Sequence, residues 1–300
     1  MLELFDKTSV NLFIHIPEIH QEYAQNCLKT VREYLDFFEQ YMEIYTEEWN
    51  VHQNNIKRLK IWRYNPENKT SCLNDFDNML INIAYITVYL KYKYNDSEHE
   101  LSIIATINRL DYGNTPMIKN ERKIDIRINN RFWKLLDVTQ LIDITNRSIV
   151  LLGSTFACID YNNISPHSIY STAFRLCTEN TYLIDPEERI PGIFWWQYIS
   201  FKILSAVSCK QDYIINAPCR CFEIYDKETR KPIGIVLQIS SVLENTSNED
   251  RLQLRLYLQQ FLYQPSINLL EKCYNDPLIG YDFSMMPMTI EELRFAQKSE

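Results

Sequence analysis

Glycine is scarce in this chain: five residues in 300, where roughly 7% is ordinary. Gly113, Gly153, Gly192, Gly234 and Gly280 each stand alone. A loop that cradles phosphate needs closely spaced glycines so that its backbone amides can approach the anion. A nucleophile elbow needs Gly-x-Ser-x-Gly. Neither pattern occurs, which argues against nucleotide binding and against the α/β-hydrolase class.

Metal-ligand spacings are lacking too. The eight cysteines, Cys27, Cys72, Cys158, Cys177, Cys209, Cys219, Cys221 and Cys273, are dispersed, whereas structural zinc sites pair their ligands at short intervals. The one close pair is Cys219-Arg220-Cys221. On a strand its thiols share a face, an arrangement that suits neither a zinc knuckle nor a Cys-x-x-Cys redox motif. Reduced, partly buried thiols are expected. Of the histidines, His15, His20, His52, His99 and His167, no two have the i, i+4 spacing of a helical zinc site, and His99-Glu100 lacks the second histidine of a zinc-protease helix. Cys158 or Cys177 with His167 carries no nucleophile signature. With 39 acidic residues, carboxylate spacing selects no catalytic pair. The sequence therefore assigns no catalytic, metal-ligating or cofactor-binding residue, and a non-enzymatic protein without cofactor is expected.

Long apolar runs are also missing. The most apolar stretch, Phe194 to Val207, is broken by Gln197 and Lys202 and is shorter than a bilayer span. Glu3 and Asp6 sit where a secretory signal would place basic residues before an apolar segment. A cytoplasmic protein with no membrane association is expected. Positive charge is in deficit, with 31 Lys and Arg against 39 Asp and Glu and a formal charge of −8. This disfavours nucleic acid and suits a basic partner. Lys119, Arg122, Lys123, Arg127, Arg131 and Lys134 form a local basic cluster, but Glu121 and Asp125 interrupt it, and it reads as a solvated strand face beside the apolar Phe132 and Trp133.

What the chain does contain is ample core material: 46% apolar residues, with twenty Tyr, fourteen Phe and five Trp. Leu28, Val31, Leu35, Phe38, Met42 and Tyr45 recur at three- and four-residue steps, predicting a helix over 18–48 with a second helix over 51–60. On its exposed flank fall Glu33, Asp36, Glu43 and Glu47, with Glu39 near the boundary, an acidic edge able to face a basic ligand. Alternation predicts strands from residue 79, over 101–110 and over 123–128, with a polar turn at 95–98. A helix over 138–149, a strand over 157–161, a hairpin of 219–225 with 233–239, and an amphipathic helix over 249–263 follow. Thr289-Ile290-Glu291-Glu292 reads as a capping box opening a short terminal helix. The fold class is α+β, antiparallel sheets with packed helices, either as one unit or as two similar α+β halves, 1–145 and 146–300.

The segment Arg189-Ile190-Pro191-Gly192-Ile193-Phe194-Trp195-Trp196-Gln197-Tyr198-Ile199 resembles the immunity protein 52 family and related type VI secretion immunity proteins, whose later half carries a proline and then Trp-x-x-Tyr. Trp195 and Tyr198 fit that spacing, while Phe194 stands where the family pattern favours glycine. The order of elements is similar as well: a first helix ending near a tryptophan, here Trp49, then antiparallel strands, this motif, a hairpin containing Gly234, and a closing amphipathic helix. The resemblance implies a cytosolic antidote, an immunity protein that binds a cognate bacterial toxin and performs no chemistry. It also implies packing roles for Trp195 and Tyr198. The alternatives are an enzyme of unrecognised family, with its site built from dispersed Asp, Glu, His and Tyr, and an adaptor or scaffold. The composition predicts that elemental analysis and ultraviolet absorbance of the purified chain will find neither stoichiometric zinc nor bound nucleotide; either would overturn the expectation.

Overall fold

The computed structural model describes residues 9–16, 23–53, 60–64, 83–94, 97–106, 123–161 and 189–262. Among these residues ten strands form one antiparallel sheet. In chain order the elements are β1 (Ser9–His15), α1 (Tyr23–Phe38), β2 (Glu43–Gln53), β3 (Lys60–Tyr64), β4 (Ile83–Tyr94), β5 (Ser97–Thr106), β6 (Lys123–Asn129), α2 (Asn130–Trp133) and α3 (Val138–Leu152). There follow β7 (Phe156–Tyr161), β8 (Trp196–Ser200), α4 (Phe201–Ala206), α5 (Gln211–Ile215), β9 (Arg220–Tyr225), β10 (Pro232–Gln238) and α6 (Asn248–Leu258). The spatial order is β3-β2-β4-β5-β6-β1-β7-β8-β10-β9, so the fold is α+β, as the alternating patterns predict.

The first strand holds the centre. Val10, Leu12 and Ile14 are fully buried and stand opposite Ile128, Ile126 and Ile124 of β6 on one side and Tyr161, Ile159 and Ala157 of β7 on the other. Alternation then sorts the side chains into two cores. Val10, Leu12, Ile14, Ile124, Ile126, Ile128, Ala157, Ile159, Trp196 and Tyr198 share one cluster with α1 and α3 residues. Phe13, Phe156, Cys158, Ile199, Ile235 and Leu237 share the other with residues of α4, α5 and α6. The two sets of helices therefore cover opposite faces of a common sheet, as the period of two requires. The division between residues 145 and 146 falls inside α3, and β1 joins the strands on either side of it.

Two predicted helices are corrected. α1 stops at Phe38, followed by a tight turn in which Gln40 N–H donates to Phe37 O and Tyr41 N–H to Phe38 O. Residues 43–53 are strand rather than helix, and the strand β3 begins at Lys60, so the helix expected over 51–60 does not form where the chain is described. The apolar steps at Met42 and Tyr45 continue the helical period by coincidence. Ile44, Tyr45, Thr46, Trp49 and Val51 suit a pleated surface, and ladders to β3 and β4 on both sides satisfy the backbone there. The strand expected from 79 is observed from Ile83, and its partner is Ser97–Thr106. The predicted capping box at Thr289 lies outside the described residues. Another forms at the start of α6, where Ser247 and Asp250 each accept from the other's backbone amide.

α3 has Asp137 as its N-cap and Gly153, at φ 58°, as its left-handed terminus, a conformation glycine adopts without cost. It packs on α1 through a polar seam. The Tyr34 hydroxyl lies 3.0 Å from Thr145 Oγ1, which itself donates to Leu141 O, and Asn26 Nδ2 donates to Leu151 O at 3.2 Å. Burial pushes the Tyr34 phenol well above its ordinary range, so it remains a neutral hydroxyl.

On the opposite face, one ion pair ties α6 to the sheet. Arg251 Nη1 and Nη2 lie 2.5 and 2.7 Å from the two carboxylate oxygens of Asp160, and both residues are 4% exposed. The same carboxylate accepts from Tyr161 N–H at 2.8 Å and Trp195 N–H at 2.9 Å. Four donors thus satisfy a charge whose burial alone would be costly. Asp160→Asn or Arg251→Met should destabilise the fold by about 3–5 kcal/mol, whereas Asp160→Asn with Arg251→Met, which removes both charges and keeps an acceptor for the two amides, should cost less than the sum of the single changes. Urea melts of the three variants check this.

Candidate protein-interaction surface

The segment Pro191 to Ser200 is buried throughout. Trp195 is fully enclosed. Its indole N–H donates to Ser240 O at 3.0 Å, and its ring meets Trp133 edge to face at 6.0 Å. Tyr198 is fully buried too, with its hydroxyl donating to Ile233 O at 3.3 Å. Its ring crosses the backbone of Gly234, where an added Cβ would lie 2.6 Å from Tyr198 Cε2 and 2.5 Å from Ile199 O. The glycine is therefore needed for close approach of β10 to β8. Both aromatic residues of the Trp-x-x-Tyr spacing have packing roles, as the resemblance implies, and neither can meet a partner.

The acidic residues do not share one helical flank. Glu33 and Asp36 lie on α1, Glu39 in the turn after it, and Glu43 and Glu47 on β2. Along β2, Glu43 stands opposite Lys93 of β4, and Glu47 opposite both Leu90 of β4 and Tyr64 of β3. Glu33 lies 3.8 Å from Arg147 Nε, and Asp36 3.5 Å from Arg32 Nε. The expected strip is divided between two elements, and two of its charges are balanced within the chain, which weakens electrostatic steering from this side.

Of the other singled-out groups, Lys123 is half-buried and Arg127 and Arg131 are exposed, with Asp125 between them on β6, consistent with a solvated strand face. Lys119 and Arg122 lie outside the described residues. Cys158 is buried and its thiol is pushed well above the ordinary range by desolvation and by the Asp160 and Asp125 carboxylates, which makes it a poor nucleophile; Cys177 and His167 lie outside the described residues. His15 is buried with Nδ1 2.9 Å from Thr155 Oγ1. Among the described residues no three His, Cys, Asp or Glu side chains converge to hold a metal ion, and no helix is long and apolar enough to cross a membrane.

An exposed surface with interaction chemistry lies at β9. Among the described residues this strand ends the sheet and pairs only with β10, and an edge strand presents alternate N–H and C=O groups outward. Its side chains include Tyr225, 52% exposed, and Phe222, 37% exposed, which alternation places on opposite faces of the sheet, while Ile215 at the end of α5 is 42% exposed. Charged groups flank them. Arg220 is exposed, and Glu223 accepts from Gln211 Nε2 and from the Tyr225 hydroxyl, each at 2.5 Å. The turn into β10 is fixed by Asp226, whose Oδ1 accepts from Glu228 N–H, Thr229 N–H and the Thr229 hydroxyl. Those bonds from Thr229 hold the Asp226 carboxyl below its usual range. Exposed aromatics beside an open backbone edge equip a protein to add a strand from a partner. The sequence predicts the hairpin, but nothing in Arg-Cys-Phe-Glu-Ile-Tyr distinguishes an edge from an interior position.

No protein-family model matches the chain, and no curated protein does. Among solved structures, Pseudomonas aeruginosa T6SS protein PA0821 aligns over 85% of this chain and 78% of its own length, with a TM-score of 0.49 and 11% identity. A likeness of that degree establishes neither the fold nor an activity. The packing described above predicts that Trp195→Ala will cost about 3–5 kcal/mol and Gly234→Ala about 1–3 kcal/mol through overpacking. Thermal denaturation measures both, and an unchanged melting temperature in either variant would contradict the burial.

Proposed function

We propose that this chain is an immunity protein that acts in the cytoplasm, binding a bacterial toxin stoichiometrically and neutralising it without chemistry of its own. The observation that carries the reading is the Arg189–Ile199 segment, which resembles the type VI secretion immunity pattern in its proline and its Trp-x-x-Tyr spacing. The burial of Trp195 and Tyr198 is what that resemblance implies for packing residues. The β9 edge supports a protein as the partner, since Phe222 and Tyr225 are the kind of exposed aromatic anchors that concentrate binding energy in interfaces. The net charge of −8 favours a basic toxin through long-range attraction.

Co-expression with a bacterial toxin encoded by a neighbouring gene tests this reading. Growth should be restored and the two chains should co-purify in a fixed ratio. Phe222→Asp with Tyr225→Asp should raise the Kd at least tenfold, about 1.4 kcal/mol, with little change in melting temperature. Growth arrest that persists despite abundant folded chain would overturn the immunity reading, and unaltered affinity in the double variant would remove β9 from the interface. Asp36→Asn with Glu43→Gln and Glu47→Gln should lower the association rate at low salt no more than the same loss of charge elsewhere on the surface, because the three residues lie on two elements.

A further inference from the structure

Cys219 and Cys221 stand apart from the other described cysteines. Cys27, Cys158 and Cys209 are buried, whereas these two are half-buried. Their sulfurs lie 3.8 Å apart. On a regular strand, residues two apart have Cα atoms about 6.6–6.8 Å from one another, the far limit for a disulfide. Cys219 is not on the strand, however. It occupies the bend before β9, where its N–H donates to Ala217 O at 2.7 Å across Pro218, and this bend brings the two thiols together.

We propose that Cys219 and Cys221 form a dithiol site that a small hydroperoxide oxidises to an intrachain disulfide. The hydrogen bond between the two sulfurs holds Cys221 below its ordinary range, while the same bond, together with burial, pushes Cys219 up. With Cys221 as the attacking group, the two sulfurs in contact form a disulfide in two steps. The carbonyl oxygens of Ile214 and Cys219, each 3.6 Å from the Cys221 sulfur, accept its proton while it is a thiol. In the first step the Cys221 thiolate attacks one peroxide oxygen; an S–O bond forms, the O–O bond breaks, and the departing alkoxide takes a proton from solvent, leaving a sulfenic acid. In the second step the Cys219 sulfur attacks the Cys221 sulfur; the S–S bond forms, the S–O bond breaks, and hydroxide leaves with the Cys219 proton as water. The sum is dithiol plus hydroperoxide giving disulfide, alcohol and water, with two electrons passing from the sulfurs to the peroxide. The site lies where α5 meets the edge strand: Cys221 reaches Ile214 of α5 and Glu223 reaches Gln211.

The test treats the full chain with hydrogen peroxide, which gives water in place of the alcohol, and follows intact mass, free thiols and a non-reducing peptide map. The expected result is loss of two thiols per chain, a mass lower by two hydrogens, a cross-link between Cys219 and Cys221, and reversal by dithiothreitol. Cys219→Ser, with melting temperature checked, should instead accumulate a sulfenic acid at Cys221 that dimedone captures, and Cys221→Ser should lose neither the thiol at 219 nor gain a cross-link. Retention of both thiols in the wild-type chain, oxygen addition without the cross-link, or a cross-link to any other cysteine would overturn the proposal.

Discussion

Everything in this fold depends on the backbone ladder that Ser9–His15 makes on both of its sides. The strand pairs with residues 123–129 and with residues 156–161, and without it the sheet would divide into two parts, each with an exposed edge. Both pairings close loops of more than a hundred residues. Their entropic cost grows only slowly with length, but such non-local contacts form late relative to local ones. Burial of Val10, Leu12 and Ile14 offsets that cost, and the end of the strand is fastened by the Ser154 hydroxyl, 2.7 Å from His15 O and 2.9 Å from Phe156 O. The first residues of the chain thereby become the middle of the structure.

Because the strand alternates, it also decides where the helices go. α1 and α3 occupy one face and α4, α5 and α6 the other, so each helical layer rests on strands contributed by both halves of the chain. The Asp160–Arg251 pair reinforces the second layer at the point where β7, the approach to β8 and α6 converge. Its value is positional: a bidentate guanidinium on a carboxylate admits one geometry, and it sets α6 relative to the Trp195 backbone. α5 is held in turn by stacking of Tyr213 on Tyr257 at 4.5 Å, with each hydroxyl donating to the other's carbonyl at 2.7 and 2.8 Å.

This arrangement consumes the residues that looked most distinctive in sequence. Trp195 and Tyr198 are inside, Cys158 is sealed, and Asp160 is saturated by four donors. What remains exposed around β9 among the described residues includes the rings of Phe222 and Tyr225 and one side of the strand's backbone, with the half-buried Cys219 and Cys221 beside them.

Much of the fold was legible in the sequence. The strand Lys123–Asn129, the helix Val138–Leu152, the β9–β10 hairpin and the helix beginning at Asn248 each carry a clear two- or 3.6-residue period, because each has one buried face whose pattern local spacing records. The acidic strip was not legible. Residues 43–53 follow a helical count as well as a strand count, and only the neighbouring strands β3 and β4, distant in sequence, resolve that ambiguity by satisfying the backbone of β2. Nor does composition mark Ser9–His15 as the centre, β9 as the edge, or Cys219 and Cys221 as thiols in contact. The sequence by itself determined the α+β class, the apolar faces and the packing fate of the Trp-x-x-Tyr segment, since these follow from periodicity and side-chain size. Strand order, the opposite placement of the helical layers and the surface left open were decided by tertiary structure alone, because they depend on which distant backbones pair, and hydrogen-bonding groups are identical at every residue except proline.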